Sequence, residues 1–276
     1  MPKFIVGARL HDYGKGSPDE LFGRVAADGF AAVQLAYKKC VPSVRSYADV
    51  TDALVARTVA AEKAHSIQVA VLGTYVELAI NDESRLKNAA DFKSQLAVCK
   101  ALGAGCIGTE TTSVEKQPAG TTREEAQELL CRSLADILPA AEALGVTVAV
   151  EPVTYHSMNS AAATRHILDT MRSPNLKVIF DMSNLVDAGN VGAQDRIWND
   201  VGELLGDQIV AVHFKGQAFA PDGGLLHTSL EDSLTDYAGA FAMLRQLPQD
   251  ALPVLREEAV PARAASDIAF MRGFFA

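Results

Sequence analysis

The stretch VTVAVEPVTYH, from Val146 to His156, opens as an uninterrupted apolar run and then reaches a carboxylate at Glu151. Seven more short apolar runs recur along the chain at fairly regular intervals. They are FIVGARL from Phe4, AAVQLA from Ala31, IQVAVLG from Ile67, GCIGTE from Gly105, LKVIFD from Leu176, IVAVHFK from Ile209 and PVLREE from Pro253. Continuous rather than alternating apolar runs are typical of strands that are covered on both faces.

The segments between these runs have the composition and the end signals of helices. Eight runs in 276 residues give about 34 residues per unit, the size of a strand–helix unit with a parallel neighbour. Capping boxes begin helices at Ser17 and Thr122, and Gly29, Gly103 and Gly145 end helical patterns before a strand. The sequence predicts one domain over residues 1–276, a (β/α)₈ TIM barrel, with an open doubly wound sheet as the second choice.

Composition narrows the function classes. The chain is 49% hydrophobic and 21% charged, with 25 Lys and Arg against 34 Asp and Glu, for a net charge of −9. This balance disfavours nucleic acids and anionic membranes as partners. Four cysteines stand without a CxxC motif, and the N-terminal stretch lacks a signal-peptide pattern. We therefore expect reduced thiols, a cytoplasmic location and no membrane partner.

Four late strands end in groups that bind metals. Glu151 follows VTVAV, Asp181 follows KVIF, His213 follows IVAV, and Glu257 or Glu258 follows PVLR. All strands of a parallel barrel point the same way, so these groups converge on the C-terminal mouth, where barrel active sites lie. Such an oxygen-rich set with one imidazole suits Mn²⁺ or Mg²⁺, with Co²⁺ or Zn²⁺ as further choices.

Strand alternation chooses between the two acids of the last strand, because adjacent residues point to opposite faces. Glu257 shares its face with Leu255, whereas Glu258 shares its face with Arg256. An arginine beneath the metal would be a buried charge without a partner. We expect Glu257 in the mouth and Glu258 at the rim or facing the helices, beside a basic neighbour.

Motifs at seven strands carry a resemblance to a known family. They are GARLHDYG, FAAVQLAYKKC, VLGTYVELA, IGTETTS, EPVTYH, SPNLKVIFDMSNL and VHFK. With these motifs the chain resembles the sugar phosphate isomerase/epimerase group of xylose-isomerase-like barrels over essentially its whole length. The resemblance implies Glu151, Asp181, His213 and Glu257 as the metal ligands. This chain departs from the family's motifs at Gly216, where relatives usually have Asp, and at Met182-Ser183, where relatives usually have Pro-Val.

The predicted reaction is a proton transfer on a small carbohydrate. A divalent ion polarises a sugar carbonyl and stabilises an enediolate, while Glu151 and Glu257, on two sides of the barrel, act as base and acid. Six polar residues at or just after strand ends are expected to bind substrate hydroxyls: His11, Gln34, Glu110, His156, Asn184 and Lys215. Both a monomer and a homo-oligomer stay open.

Two other functions are compatible with the same barrel and the same polar residues at its mouth. A metal-dependent dehydratase of an inositol-like ketone would expel a hydroxyl after the same proton abstraction, and a non-catalytic sugar-binding barrel would keep only the scaffold. The endonuclease branch of these barrels is disfavoured, because its trinuclear zinc site needs more histidines than the mouth offers and because the chain is acidic. Nucleophilic hydrolysis lacks a GxSxG elbow.

Overall fold

The computed structural model describes all residues from 1 to 276. Eight parallel strands close into a barrel in the order β1-β10-β7-β6-β5-β4-β3-β2, and β8 and β9 form a separate antiparallel pair. The strands are β1 Lys3–Arg9, β2 Ala32–Leu35, β3 Gln68–Gly73, β4 Cys106–Glu110, β5 Val148–Glu151, β6 Leu176–Asp181, β7 Ile209–Phe214, β8 Gly216–Phe219, β9 Leu225–Thr228 and β10 Ala251–Arg256. The predicted TIM barrel is confirmed, and each predicted run overlaps one barrel strand, with β1 and β10 beginning one and two residues before their runs.

Helices connect the barrel strands. They are α1 Pro18–Ala27, α2 Tyr37–Cys40, α3 Asp52–His65, α4 Asp82–Ser94, α5 Leu96–Leu102, α6 Arg123–Leu144, α7 Ala161–Met171, α8 Gln194–Leu205, α9 Tyr237–Leu244 and α10 Ala264–Arg272. Short 3₁₀ turns lie at Leu10–Tyr13, Tyr47–Asp49, Val114–Lys116, Val191–Ala193, Gly206–Gln208 and Pro261–Arg263. None of the helices is long and apolar enough to cross a bilayer.

The predicted helix ends are confirmed. Ser17 and Thr122 cap α1 and α6 through complete capping boxes, which satisfy backbone donors that the first turn leaves free. Gly29, Gly103 and Gly145 follow helices with φ values of 95°, 66° and 67°. Only glycine adopts this left-handed conformation at no steric cost, so each residue turns the chain sharply into the next strand.

Two apolar clusters hold the barrel together. The larger has 65 buried residues and fills the space between the strands and the surrounding helices. The smaller has eight buried residues inside the barrel, among them Ala149, Ile179 and Leu255. Because the interior is packed below the mouth, polar strand ends have room only at the C-terminal face.

One predicted loop is different in the structure. The turn-forming residues from Gly216 to Gly224 predict a loop after the seventh strand, at the barrel mouth, but the first half of this segment is strand β8, which pairs with β9. Pro221-Asp222-Gly223-Gly224 forms the turn between the two strands, with Gly223 at a φ of 87°. The hairpin rises directly after Lys215, so it extends the wall of the mouth beyond β7.

Candidate active site and metal centre

Three of the predicted ligands meet at the C-terminal ends of β5, β6 and β7. One ligand atom from each of Glu151, Asp181 and His213 lies within 4.8 Å of the others, and all three residues are buried. The strand register explains this meeting, since Asp181 is paired directly with His213 across β6 and β7. Parallel strands in register bring their last side chains to one level of the barrel.

The donor atoms at this point fit a divalent cation. Asp181 Oδ2 and both ring nitrogens of His213 are buried and form no hydrogen bond. Glu151 Oε2 lies 3.1 Å from His213 Nδ1, but not along the direction in which an N–H would point. Buried polar atoms without a partner are costly, and two carboxylates with one imidazole form a donor set that Mn²⁺, Mg²⁺ or Zn²⁺ accepts.

Glu257 lies beside this trio at the end of β10. Its Oε1 is 3.5 Å from His213 Nδ1, and its side chain is buried. Arg256 points the other way, into the space under α10, where its Nε donates to Asp267 Oδ2 at 2.8 Å. Leu255 belongs to the barrel interior. The structure thus has the alternation expected along β10, with Glu257 in the mouth.

Glu258 lies at the rim, with 40% of its side chain exposed, and pairs with Arg9 at 2.8 Å. Its φ is 54°, a left-handed value that a non-glycine residue rarely adopts. Arg9 also pairs with Asp12 at 2.7 Å and approaches Glu257 Oε1 at 3.8 Å. Asp12 in turn accepts the backbone N–H of Ala259. This network fixes the segment that carries Glu257.

Two cations balance the carboxylates of the mouth. Lys215 Nζ lies 3.0 Å from Asp181 Oδ2 and 3.7 Å from Glu257 Oε2. Burial lowers the pKa of His213, but the charges of Glu257 and Glu151 outweigh burial and raise that pKa to about 9. Burial likewise opposes the charge on Lys215, yet Asp181 and Glu257 raise the pKa of its ammonium group.

The two proposed acid–base carboxyls differ in environment. Burial raises the pKa of Glu151, and the charge of His213 only partly offsets this. Burial also raises the pKa of Glu257, but His213 and Lys215 outweigh burial and bring that pKa to about 2. Asn184 fixes the first carboxyl, because its Nδ2 donates to Glu151 Oε1 at 2.6 Å. Groups with opposite pKa shifts in one cleft are typical of acid–base sites.

Two predicted substrate-binding residues, His11 and Gln34, meet on the other side of the mouth through Tyr75. Gln34 Nε2 donates to Tyr75 Oη at 3.1 Å, and His11 Nε2 lies 3.5 Å from the same oxygen. Burial and the charge of Arg9 lower the pKa of His11 to about 4, so its imidazole is neutral at pH 7. Gln34 and Tyr75 line one narrow space together with Glu151 and His213.

Glu110 and His156 lie together at another edge of the barrel mouth. Glu110 ends β4 opposite Glu151, and its Oε2 is 3.9 Å from His156 Nε2. Burial and the negative charge of Glu151 raise the pKa of Glu110 to about 7. Burial, with the charge of Lys116, lowers the pKa of His156 to about 4. The mouth thus brings together all ten residues singled out by sequence.

Sequence reasoning did not single out Tyr75 or the network around Arg9. Tyr75 follows β3 with a φ of 55°, a conformation that costs a bulky residue on the order of 1 kcal/mol. Its sequence context, VLGTYVELA, holds no signal for such a conformation. Strained residues of this kind cluster at functional sites, and here the strain brings the phenol between Gln34 and His11.

The family of the chain follows from comparison with family models. The model described as xylose isomerase-like TIM barrel matches residues 22–273. No curated protein matches the chain by sequence. The matched range contains seven of the eight barrel strands, all four predicted metal ligands and all of the predicted substrate-binding residues except His11.

Solved structures share the fold at low identity. The apo 3-keto-D-glucoside 4-epimerase YcjR from E. coli has a TM-score of 0.72 at 17% identity, with 98% of this chain and 100% of that chain covered. A D-allulose 3-epimerase from Methylomonas sp. has a TM-score of 0.72 at 15% identity, with 99% of each chain covered. The IolI protein, solved with a zinc atom, has a TM-score of 0.75 at 16% identity, with 99% and 96% covered.

Proposed function

Because the chain belongs to the xylose isomerase-like TIM-barrel family, we propose that it is a divalent-metal-dependent isomerase or epimerase of a small sugar or sugar derivative. The observation that carries the proposal is the placement of two buried carboxylates around one imidazole. Glu151 and Glu257 lie 3.1 Å and 3.5 Å from His213 Nδ1 and come from β5 and β10, with two strands between them. Their neighbour Asp181 offers Oδ2, which lies 3.0 Å from Lys215 Nζ.

The ligands are Glu151, Asp181, His213 and Glu257, and the cation is Mn²⁺ or Mg²⁺, with Co²⁺ or Zn²⁺ as further choices. A bound divalent cation supplies Lewis-acid polarisation of a sugar carbonyl, which makes the neighbouring C–H more acidic. Lys215, held by Asp181, contributes a fixed positive charge beside the carboxylate oxygens of Asp181 and Glu257. Asn184 keeps the Glu151 carboxyl oriented through its hydrogen bond.

The proton transfers belong to Glu151 and Glu257. One carboxylate takes the carbon-bound proton and the other returns a proton, which suits an epimerase when the two lie on different faces of the sugar. An isomerase would use one of them for both transfers. His11, Gln34, Glu110 and His156 surround this centre with polar groups for substrate hydroxyls. The four cysteines are free thiols, which supports a reducing, cytoplasmic compartment.

The test is solvent-deuterium incorporation into a panel of ketoses, aldoses and inositol ketones with Mn²⁺ present, followed by NMR and mass spectrometry. We expect deuterium at one carbon of at least one sugar with product of unchanged carbon skeleton and water content. Loss of water would indicate the dehydratase instead. Absence of exchange in every compound, with sugar binding retained, would indicate the non-catalytic barrel.

A further inference from the structure

The space directly over the reacting groups is too small for a whole sugar. It measures about 10 Å³ and is lined by Glu151, His213, Gly73 and Tyr75, among others. A space of about 10–15 Å³ on the same measure holds a single water molecule. A substrate with its reacting carbons at Glu151 must therefore extend its other atoms into an adjoining space.

A larger cavity adjoins it on the side of β2 and β3. This cavity measures about 370 Å³ and shares Gly73 and Tyr75 with the narrow space. Its only charged lining residues are Lys38 and Lys39 of α2. An anionic group in this cavity therefore meets no charged side chains other than these two ammonium groups.

Both ammonium groups contact ring faces rather than carboxylates. Lys38 Nζ lies 4.4 Å from the ring centre of Tyr47, and Lys39 Nζ lies 4.9 Å from the ring centre of Tyr75. A ring face attracts a cation only weakly and leaves its N–H donors directed elsewhere free for a ligand. Tyr47 is itself held, because its hydroxyl donates to the carbonyl oxygen of Thr74.

The other cations around the mouth already have anionic partners. Arg9 pairs with Asp12 and Glu258, Lys215 pairs with Asp181, and Lys116 pairs with Glu77. Lys38 and Lys39 instead contact ring faces and form no ion pair with a carboxylate, in a chain with a net charge of −9. Their positive charge is available to a ligand, and the charges of Arg9 and Lys39 add to burial in holding the pKa of His11 low.

We propose that Lys38 and Lys39 bind an anionic group, a phosphate or a carboxylate, at the far end of the sugar substrate. The proposal rests on the function proposed above and narrows its substrate class to sugar phosphates and sugar acids. An ammonium group binds either anion through charge-assisted hydrogen bonds. The neutral tyrosine rings keep both lysines at the cavity wall.

The test is titration calorimetry of the full chain in Mn²⁺ buffer with three ketoses that differ only at carbon 6. D-Fructose is neutral there, D-fructose 6-phosphate carries a phosphate, and D-fructuronate carries a carboxylate. We expect one or both anionic ligands to bind at least about tenfold more tightly than D-fructose, since hydrogen bonds to charged groups are the stronger kind. The tighter of the two identifies the anion.

The matched variants are the double variant Lys38→Gln/Lys39→Gln and the control Lys100→Gln, an exposed lysine on α5. The double variant should remove the preference for the anionic ligands, and the control should keep it. Equal binding of all three ketoses by the wild type, no binding of either anionic ketose, or a preference that survives the double variant would each overturn the proposal. A preference without deuterium exchange would leave the anion site standing and refute the proposed catalysis.

Discussion

Divalent-cation binding is predicted to depend steeply on pH, because the cation and a proton compete for His213. The pKa of His213 is raised to about 9, so the imidazole is largely protonated below pH 8. Each pH unit below the pKa lowers the neutral fraction about tenfold, so the Mn²⁺ affinity should fall about hundredfold between pH 8 and pH 6. Titration calorimetry at half-unit steps over this range measures the slope.

Other groups in the mouth must be separated from His213 in this experiment. His11 and His156 have pKa values of about 4 and stay neutral over the whole range. Glu110, with a pKa of about 7, changes charge within it, so the titration is repeated in Glu110→Gln. In Glu110→Gln, we expect the logarithm of the Mn²⁺ affinity still to rise by about one per pH unit. In His213→Gln, this dependence should be lost. A flat profile in the wild type would refute the competition and the role of His213 as a ligand.

The same pKa has a consequence for stability without added metal. A folded-state pKa above the ordinary value of 6.5 means that the proton on His213 stabilises the fold. This stabilisation is fully present below pH 6.5 and is lost as the pH rises through about 9. The upper bound of this stabilisation is about 3 kcal/mol, because each pH unit between the two pKa values corresponds to about 1.4 kcal/mol. Urea unfolding of EDTA-treated protein at pH 6 and pH 9.5 checks the direction, with His213→Gln as the control.

Further predictions concern the last barrel strand and its neighbours. Glu257→Gln should weaken Mn²⁺ binding at least about tenfold and abolish exchange, whereas Glu258→Gln changes binding less than about threefold; calorimetry on both distinguishes the two acids. Arg256→Met removes the closer of the two arginines at buried Asp267 and leaves Arg263 Nε at 3.7 Å, so it should cost about 3 kcal/mol in urea unfolding, most of which Arg256→Met/Asp267→Leu recovers. Arg9→Met should lower kcat more than it weakens Mn²⁺ binding, with partial rescue by Arg9→Lys, because Arg9 positions Glu257; equal loss of both would contradict that role.

The barrel could be predicted because each of its signals is local. A buried parallel strand is apolar along its whole length, and helix caps and left-handed glycines lie within a few residues of the ends they mark. The choice of Glu257 over Glu258 needed only the two-residue period of a strand. Convergence of Glu151, Asp181 and His213 then follows from barrel geometry, since every strand ends at the same face.

The features that the sequence did not predict depend mostly on contacts between distant segments. Arg9 reaches Glu257 and Glu258, which lie at the opposite end of the chain, and no short pattern encodes such a pair. The left-handed tyrosine after β3 is held by Gln34 and by packing, against its own backbone preference. The hairpin of β8 and β9 was missed for another reason: a Pro-Asp-Gly-Gly turn fits a loop as well as it fits a hairpin.

In the proposed reaction, Glu151 moves a carbon-bound proton at a metal-supported site. The most direct measurement compares wild-type protein with Glu151→Gln, both loaded with Mn²⁺, for solvent-deuterium incorporation into the sugar that the panel identifies. Glutamine keeps the oxygen that accepts from Asn184 but has no carboxylate to take a proton. We predict exchange in the wild type and a loss of at least about a thousandfold in the variant. Exchange at a comparable rate in both proteins would exclude Glu151 as the group that takes the proton.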